Sequence, residues 1–136
     1  MNLTQLKADL IRDEGLKTKP YRCTAGKMTI GVGRNLDDVG ITESEAHYLL
    51  ETDIVRVMAE LDGLWPWWRT LSEARQLAMA NMAFNMGIPR LMGFRKMLAA
   101  LQKGDYETAA HEAFQSNWSG QVGARADRIC KLILEG

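Results

Sequence analysis

Three side chains capable of acid–base chemistry lie within a stretch of 16 residues near the start of the sequence. They are the carboxyl of Glu14, the thiol of Cys23 and the hydroxyl of Thr29. A carboxyl can donate or accept a proton, a thiolate can act as a base or a nucleophile, and a hydroxyl can hold a water molecule. We therefore take these three residues as the candidate catalytic constellation.

The position of Glu14 on its helix makes its carboxyl unusual. Four apolar residues follow helical spacing: Leu3, Leu6, Leu10 and Ile11. Gly15 ends the run, so the sequence predicts an amphipathic helix over residues 3–14. Glu14 comes 11 positions after Leu3, which at about 100° per residue is three turns plus about 20°. We therefore expect Glu14 on the apolar stripe, where partial burial would favour a protonated carboxyl.

A small antiparallel sheet is predicted for the segment that carries Cys23 and Thr29. Between residues 17 and 36 the helical period disappears, and the residue types change to Thr, Gly, Tyr and Val. Residues 25–27, Ala-Gly-Lys, fit a hairpin turn that leads into a strand at 28–33. Both candidate residues should therefore lie at the edge of this sheet.

The rest of the chain is predicted to be helical. Thr42 followed by Glu45 is a capping box that opens a long second helix. Asp53 lies in the apolar stripe of that helix, so its carboxylate needs a partner. Further helices are predicted at 73–86, from about 91 to 103, after an Asp105 cap, and from about 124 onwards. The predicted fold class is α+β, mostly α-helical, with a small antiparallel β-sheet in an N-terminal lobe and a helical C-terminal lobe.

Composition excludes several classes of protein. The 17 basic and 17 acidic side chains give a net charge of zero, which argues against nucleic acid as a partner. Two cysteines fit neither a disulfide-rich scaffold nor a tetrahedral zinc site, and only His47 and His111 could be added to them, so we expect no metal and no cofactor. No apolar run approaches the roughly 20 residues that cross a bilayer, and the start of the sequence is polar. We expect no membrane insertion, no signal peptide and synthesis in the cytoplasm.

The spacing of the constellation resembles a family signature. Eight residues separate Glu14 from Cys23 and five separate Cys23 from Thr29. This resembles the pattern Glu, eight residues, Asp or Cys, five residues, Thr of the tailed-phage lysozymes, the endolysins of glycoside hydrolase family 24. The segments 81–87, 93–94 and 116–118, followed by Arg125, also resemble the C-terminal lobe of that family. The resemblance implies one lysozyme-like domain over residues 1–136, with an N-terminal lobe at about 12–60 and a C-terminal lobe at about 61–136 that includes the first helix.

The resemblance also implies catalytic roles. Glu14 would be the general acid, Cys23 would occupy the place of the carboxylate that activates water, and Thr29 would position that water. A thiol is awkward there, because an unperturbed thiol near pKa 8.5 is only about 3% ionised at neutral pH. Either the site lowers the pKa of Cys23, or the thiol only holds the water, or the thiolate attacks the sugar directly with retention. We favour water activation with inversion.

Supporting residues are implied in the same way. Phe84, Asn85 and Asn35 are the candidate substrate-binding residues, and Arg125 is the expected neighbour of Glu14. Arg34 stands where many relatives have a histidine, and Asp53 aligns with the acid that pairs with that histidine. We therefore expect a salt bridge between Arg34 and Asp53. The linking stretch 34–40 is far shorter than in longer family members, so the N-terminal lobe should be reduced on that side.

The function that the resemblance implies is a muramidase. Such an enzyme hydrolyses the β-1,4 bond between N-acetylmuramic acid and N-acetylglucosamine in peptidoglycan glycan strands. We expect a monomer, made in the host cytoplasm and released to the cell wall through a separate holin. Two alternatives stay open: a peptidoglycan-binding protein whose catalysis is weakened at Cys23 and Arg34, and a lytic transglycosylase, which needs the acid but no activated water.

Overall fold

The computed structural model describes all 136 residues, from Met1 to Gly136. The chain begins with α1 (Leu3–Glu14), β1 (Lys17–Arg22), β2 (Met28–Gly31) and β3 (Arg34–Asn35). It continues with α2 (Glu43–Leu64), a 3₁₀ helix (Pro66–Thr70) and α3 (Glu73–Met86). The last helices are α4 (Ile88–Leu91), α5 (Arg95–Lys103), α6 (Tyr106–Phe114), α7 (Asn117–Val122) and α8 (Ala124–Glu135). The predicted fold class, α+β and mostly α-helical, is confirmed.

The ends of the first two helices follow from local signals in the sequence. Asn2 Oδ1 accepts a hydrogen bond from the backbone N–H of Gln5 at 3.0 Å, and α1 ends at Gly15, whose φ is 78°. At the start of α2, Thr42 Oγ1 accepts from the Glu45 N–H at 3.1 Å while Glu45 Oε1 accepts from the Thr42 N–H at 2.9 Å. This reciprocal pair is the predicted capping box.

The later helices match the sequence less completely. Ser72 caps α3 through its side chain, and Asp105 caps α6 in the same way, as the sequence predicts for Asp105. The single helix expected from about residue 91 to 103 is wrong, because the chain forms α4 and α5 with a break between them. At that break the N–H of Gly93 donates to the Arg90 carbonyl and the N–H of Phe94 to the Leu91 carbonyl, which tightens the chain into a turn. The sequence pattern does not predict α7.

The sheet is three-stranded and antiparallel, in the order β1-β2-β3. Tyr21 pairs with Thr29 in the first ladder, whose register shifts between Lys17 and Tyr21. In the second ladder Thr29 pairs with Asn35, and Ile30 pairs with Arg34. Thr29 therefore sits in the central strand, between β1 and β3, rather than at the edge of the sheet as expected, and it is only 3% exposed. The predicted hairpin turn at residues 25–27 lies between β1 and β2.

The chain divides into two compact units, Met1–Tyr48 and Leu49–Gly136, and the division falls within α2. The first unit holds α1, the sheet and the start of α2. No residue of α1 is buried, and Glu14 is exposed. The expected partial burial of Glu14 is therefore wrong: its carboxyl lies against Gly33, a residue without a side chain. The lobe boundaries expected from the sequence, including the assignment of the first helix, stay a prediction.

The second unit contains the hydrophobic core. Helix α8 packs against α3, α6 and α7, and α6 packs against α5. Alanines at 0% exposure, among them Ala78, Ala109 and Ala126, let these helices approach closely, while Trp68 and Trp118 fill the largest volumes. No helix of the chain combines the length and the apolar character that a membrane span requires.

Candidate active site

Glu14 is the last residue of α1, and its carboxyl meets the turn between β2 and β3. A β-carbon built on Gly33 would lie 2.9 Å from Glu14 Oε2 and 3.4 Å from its Cδ. The φ of Gly33 is 67°, a backbone conformation that residues other than glycine rarely adopt. The backbone conformation therefore favours glycine at position 33, and an added β-carbon would also displace the flexible Glu14 carboxyl.

Cys23 lies at the end of β1, in the turn that leads to β2. The Cys23 N–H donates to the Lys27 carbonyl at 2.9 Å, and the Gly26 N–H donates to the Cys23 carbonyl at 2.8 Å. The thiol receives hydrogen bonds from the backbone N–H of Lys27, which has the largest effect, and from that of Ala25, and together they hold the pKa of Cys23 below its ordinary value. The sequence leaves three roles open for the thiol: a base with a lowered pKa, a group that only holds the water, and a nucleophile that attacks the sugar. The hydrogen bonds in this turn support the lowered pKa.

Thr29 is brought next to Cys23, as the sequence predicts. Its hydroxyl contributes to lowering the pKa of Cys23, and Thr29 Oγ1 also donates to the Lys27 carbonyl at 2.9 Å. A hydroxyl has a single proton, so Thr29 donates either to that carbonyl or to the thiolate. The peptide groups of Lys27 thus fix both side chains, the carbonyl by accepting from Thr29 and the N–H by donating to Cys23.

Arg34 has a different partner from the one expected. Its Nη1 donates to Glu45 Oε1 at 2.7 Å and to the Gly40 carbonyl at 3.2 Å. Asp53 pairs instead with Arg56, three residues further along the same helix, at 3.1 Å. The predicted Arg34–Asp53 salt bridge is therefore wrong, because the short loop after β3 brings the N-terminus of α2 within reach of Arg34.

The Glu45 carboxylate is stabilised in its charged form. The backbone N–H of Thr42 has the largest effect and Arg34 the next, and together they hold the pKa of Glu45 below its ordinary 4.5. Glu45 is recognisable in the sequence as part of a capping box. Nothing in its spacing shows that the same oxygen also binds an arginine from the sheet.

Asn35 holds the short loop after β3 in place. Its Oδ1 accepts from the Asp38 N–H at 3.0 Å and its Nδ2 donates to Asp38 Oδ2 at 2.9 Å. Asp38 also pairs with Lys27 at 3.1 Å, and Asp37 accepts from the Met28 N–H at 2.8 Å. The side-chain amide of Asn35 is thus engaged within the loop, and its contact with substrate stays a prediction.

Three further residues expected at the site lie in the second unit. Phe84 is 44% exposed and lines a cavity of about 300 Å³ with Asn81 and Arg125. Arg125 Nε donates to Asn81 Oδ1 at 2.9 Å. Asn85 Oδ1 accepts from Trp118 Nε1 at 2.8 Å, which fixes the buried indole. The roles of Phe84 and Asn85 in binding substrate, and of Arg125 beside Glu14, stay predictions.

Another cavity of the second unit is separate from Phe84, Asn85 and Arg125. It measures about 570 Å³ and lies among α5, α6 and α7, where Arg90, Phe94 and Glu112 are among the lining residues. None of the candidate catalytic residues lines it. No three His, Cys, Asp or Glu side chains are grouped so that they could hold a metal ion. Both cysteines are free thiols, and burial raises the pKa of Cys130.

Comparison with known proteins identifies relatives along almost the whole chain. Residues 12–130 match the phage lysozyme family. The chain is 34% identical to an endolysin of Acyrthosiphon pisum secondary endosymbiont phage 1, over 79% of this chain and 73% of that protein. It is 27% identical to probable T4-type lysozyme 1 of Dictyostelium discoideum, over 98% of this chain and 96% of that protein.

A further relative is much longer. The chain is 32% identical to the pre-baseplate central spike protein Gp5 of Enterobacteria phage T4, over 93% of this chain but only 27% of the spike protein. The chain therefore spans about a quarter of that relative's length. The match to the family model and the similarity to the endolysin both extend over most of the chain, and the chain belongs to the phage lysozyme family.

Proposed function

We propose that the protein is a muramidase that hydrolyses the β-1,4 bond between N-acetylmuramic acid and N-acetylglucosamine in bacterial peptidoglycan. The observation that carries this proposal is the turn around Cys23. There, the backbone N–H groups of Lys27 and Ala25 and the hydroxyl of Thr29 favour a thiolate. Relatives named lysozyme and endolysin support the same substrate class.

Glu14 is the proposed general acid. Its carboxyl is exposed at the end of α1, and the neighbouring Gly33 has no side chain that could block the approach of a sugar ring. In the proposed reaction the protonated Glu14 gives its proton to the glycosidic oxygen as the bond from that oxygen to the anomeric carbon breaks. Loss of that proton donor should cost about 10²- to 10⁴-fold in rate.

Cys23 and Thr29 are the proposed water-activating pair. The oxygen of one water forms the new bond to the anomeric carbon, and the thiolate of Cys23 accepts the proton that the water loses. Thr29, whose hydroxyl proton is donated either to the Lys27 carbonyl or to the thiolate, offers its hydroxyl oxygen to the same water. Because water enters from the face opposite the departing sugar, the reaction inverts the anomeric configuration.

Two measurements on the unmodified protein test the proposal. Suspensions of outer-membrane-permeabilised Gram-negative cells should lose turbidity when the protein is added, and the released fragments should carry one added water per bond cleaved. Products that lack that water would indicate elimination, as in a lytic transglycosylase. Binding to purified peptidoglycan without clearing or fragment release would indicate a binding protein and contradict the proposal.

A further inference from the structure

The turn between β2 and β3 is held by few of its own contacts. Strand β3 has only two residues, and two residue pairs join it to β2. Gly31 and Gly33, at the two ends of the turn, both have positive φ values, 71° and 67°. A ladder this short contributes little stability on its own, so the position of the turn depends on what anchors β3.

Arg34 anchors β3 to α2 through Glu45, while the loop after β3 is tied to Lys27 and Met28 at the start of β2. Arg34 follows Gly33 directly and donates to Glu45 Oε1 at 2.7 Å and to the Gly40 carbonyl at 3.2 Å. The same Glu45 oxygen accepts from the Thr42 N–H at 2.9 Å. One carboxylate oxygen thus joins the first turn of a 22-residue helix to the two-residue strand.

The anchored turn touches two of the proposed catalytic groups. Gly33 lies against the Glu14 carboxyl, with 2.9 Å between an ideal β-carbon on Gly33 and Glu14 Oε2. Thr29 belongs to the same hairpin, because it pairs with Asn35 in β3. If β3 moved away from α2, Gly33 would withdraw from Glu14 and the ladder that holds Thr29 would shift.

We infer that Glu45 is a positioning residue: through Arg34 it holds Gly33 against Glu14 and so fixes the direction of the catalytic carboxyl. The inference rests on the proposed function, in which Glu14 is the acid. Neither Glu45 nor Arg34 needs to touch the substrate in this role. Their effect should therefore appear in kcat, with little change in KM.

Glu45→Gln separates this role from helix capping. Glutamine also serves at the third helical position of a capping box, so its carbonyl can still accept from the Thr42 N–H. It loses the charge that strengthens the bond to Arg34. Glu43→Gln is the matched control, because Glu43 lies in the same first turn, its side chain is 93% exposed, and its ion-pair partner is His47 on the same helix.

Steady-state kinetics on peptidoglycan fragments of defined length, well below the melting temperature, provide the first test. We expect Glu45→Gln to lower kcat by about tenfold, less than the roughly 10²-fold cost of a 1 Å misplacement, with KM changed by less than about twofold. Glu43→Gln should match the unmodified protein. An unchanged kcat in Glu45→Gln would overturn the inference, whereas a wild-type protein without activity would overturn the proposed function itself.

Nuclear magnetic resonance gives a second readout that does not depend on activity. The Gly33 amide signal should follow the ionisation of Glu14 in the wild type, and the amplitude of that change should fall at least twofold in Glu45→Gln. An equal amplitude in both proteins would contradict the inference. Should Glu45→Gln fail to fold, Arg34→Met removes the same link from its other end and must produce the same loss of kcat and of amplitude; unchanged values would overturn the inference equally.

Discussion

The backbone of Gly33 lies so close to the carboxyl of Glu14 that a β-carbon on Gly33 would be 2.9 Å from Glu14 Oε2. The contact joins the end of α1 to the turn of the sheet that also carries Thr29. It places the proposed proton donor beside a backbone segment whose conformation only glycine adopts easily. The position of the Glu14 carboxyl therefore depends on the absence of a side chain at Gly33.

Gly33→Ala and Gly31→Ala should separate conformational strain from this contact. Both glycines have φ near 70°, but a β-carbon on Gly31 would meet nothing within 4 Å. Each substitution should cost about 1–2 kcal/mol of stability, the cost of a left-handed conformation for a non-glycine residue. Only Gly33→Ala should also lose activity, by about 10²-fold, because the flexible Glu14 carboxyl would have to move aside.

Urea unfolding and cell clearing measured on the two variants would check that prediction. Equal activity in Gly31→Ala and Gly33→Ala would show that the contact with Glu14 has no catalytic consequence. A stability loss confined to Gly33→Ala would instead show that strain in the turn is negligible and that the contact alone matters.

Cys23 should be the more reactive of the two thiols. The Lys27 N–H, followed by the Ala25 N–H, lowers the pKa of Cys23, whereas burial raises the pKa of Cys130. A lowered thiol pKa gives more thiolate at neutral pH, so iodoacetamide should alkylate Cys23 faster than a free cysteine and faster than Cys130. The midpoint of the rate against pH should lie below that of the denatured protein and should rise in Thr29→Val. A midpoint at or above that of the denatured protein would contradict the geometry of the turn.

Substitutions of Cys23 test what its thiol does. If the thiolate accepts a proton from water, Cys23→Asp should keep substantial activity and Cys23→Ala should lose most of it. The first product should be the α-anomer, detectable by proton resonance spectra taken immediately after cleavage. Cys130→Ala is the control and should clear cells at the wild-type rate.

A β-anomer as first product would show that Cys23 attacks the sugar directly, and a thioglycoside adduct should then be trappable with a slow substrate. Full activity in Cys23→Ala would exclude both roles for the thiol. In that case Glu14, Thr29 and water alone would have to carry the reaction.

The link between Arg34 and Glu45 should make stability depend on pH at the acid end. The pKa of Glu45 is lowered in the folded protein, mainly by the Thr42 N–H and then by Arg34. Its contribution to stability is therefore complete above the ordinary value of 4.5 and is lost as the pH falls through the lower folded-state pKa. The wild type should melt at a higher temperature than Glu45→Gln near neutral pH, and the difference should shrink towards zero below that pKa. A difference that stays constant from neutral to acid pH would show that charge is not involved.

Local features of the fold could be predicted from the sequence because their causes are local. Thr42 and Glu45, three residues apart, fix the start of α2, and Ser72 and Asp105 cap α3 and α6 in the same way. The spacing of Cys23 and Thr29 predicts their proximity, because a short turn between two antiparallel strands folds one back beside the other. These signals act within a few residues, where propensity and hydrogen bonding decide the structure.

Long-range partners could not be predicted in the same way. The expected Arg34–Asp53 pair is wrong because each side chain finds a closer partner, Glu45 and Arg56, whose position depends on how the loop after β3 folds. The burial of Glu14 depends on which residue faces the end of α1. That residue is Gly33, which has no side chain to shield the Glu14 carboxyl from solvent. The break between α4 and α5 lies at Gly93 and Phe94. The helical spacing of apolar residues continues across this point, so the spacing alone does not reveal the break.

Cell clearing by Glu14→Gln is the measurement that tests the central claim most directly. Glutamine keeps the shape and hydrogen bonding of the side chain but cannot donate the proton that cleavage requires. Asp13→Asn is the matched control, since Asp13 is an exposed neighbour on the same helix and pairs with Arg12. We predict that Glu14→Gln, folded as judged by its circular dichroism spectrum, clears at least about 10²-fold more slowly than the wild type, while Asp13→Asn clears at the wild-type rate. Clearing by Glu14→Gln at the wild-type rate would contradict the assignment of Glu14 as the general acid.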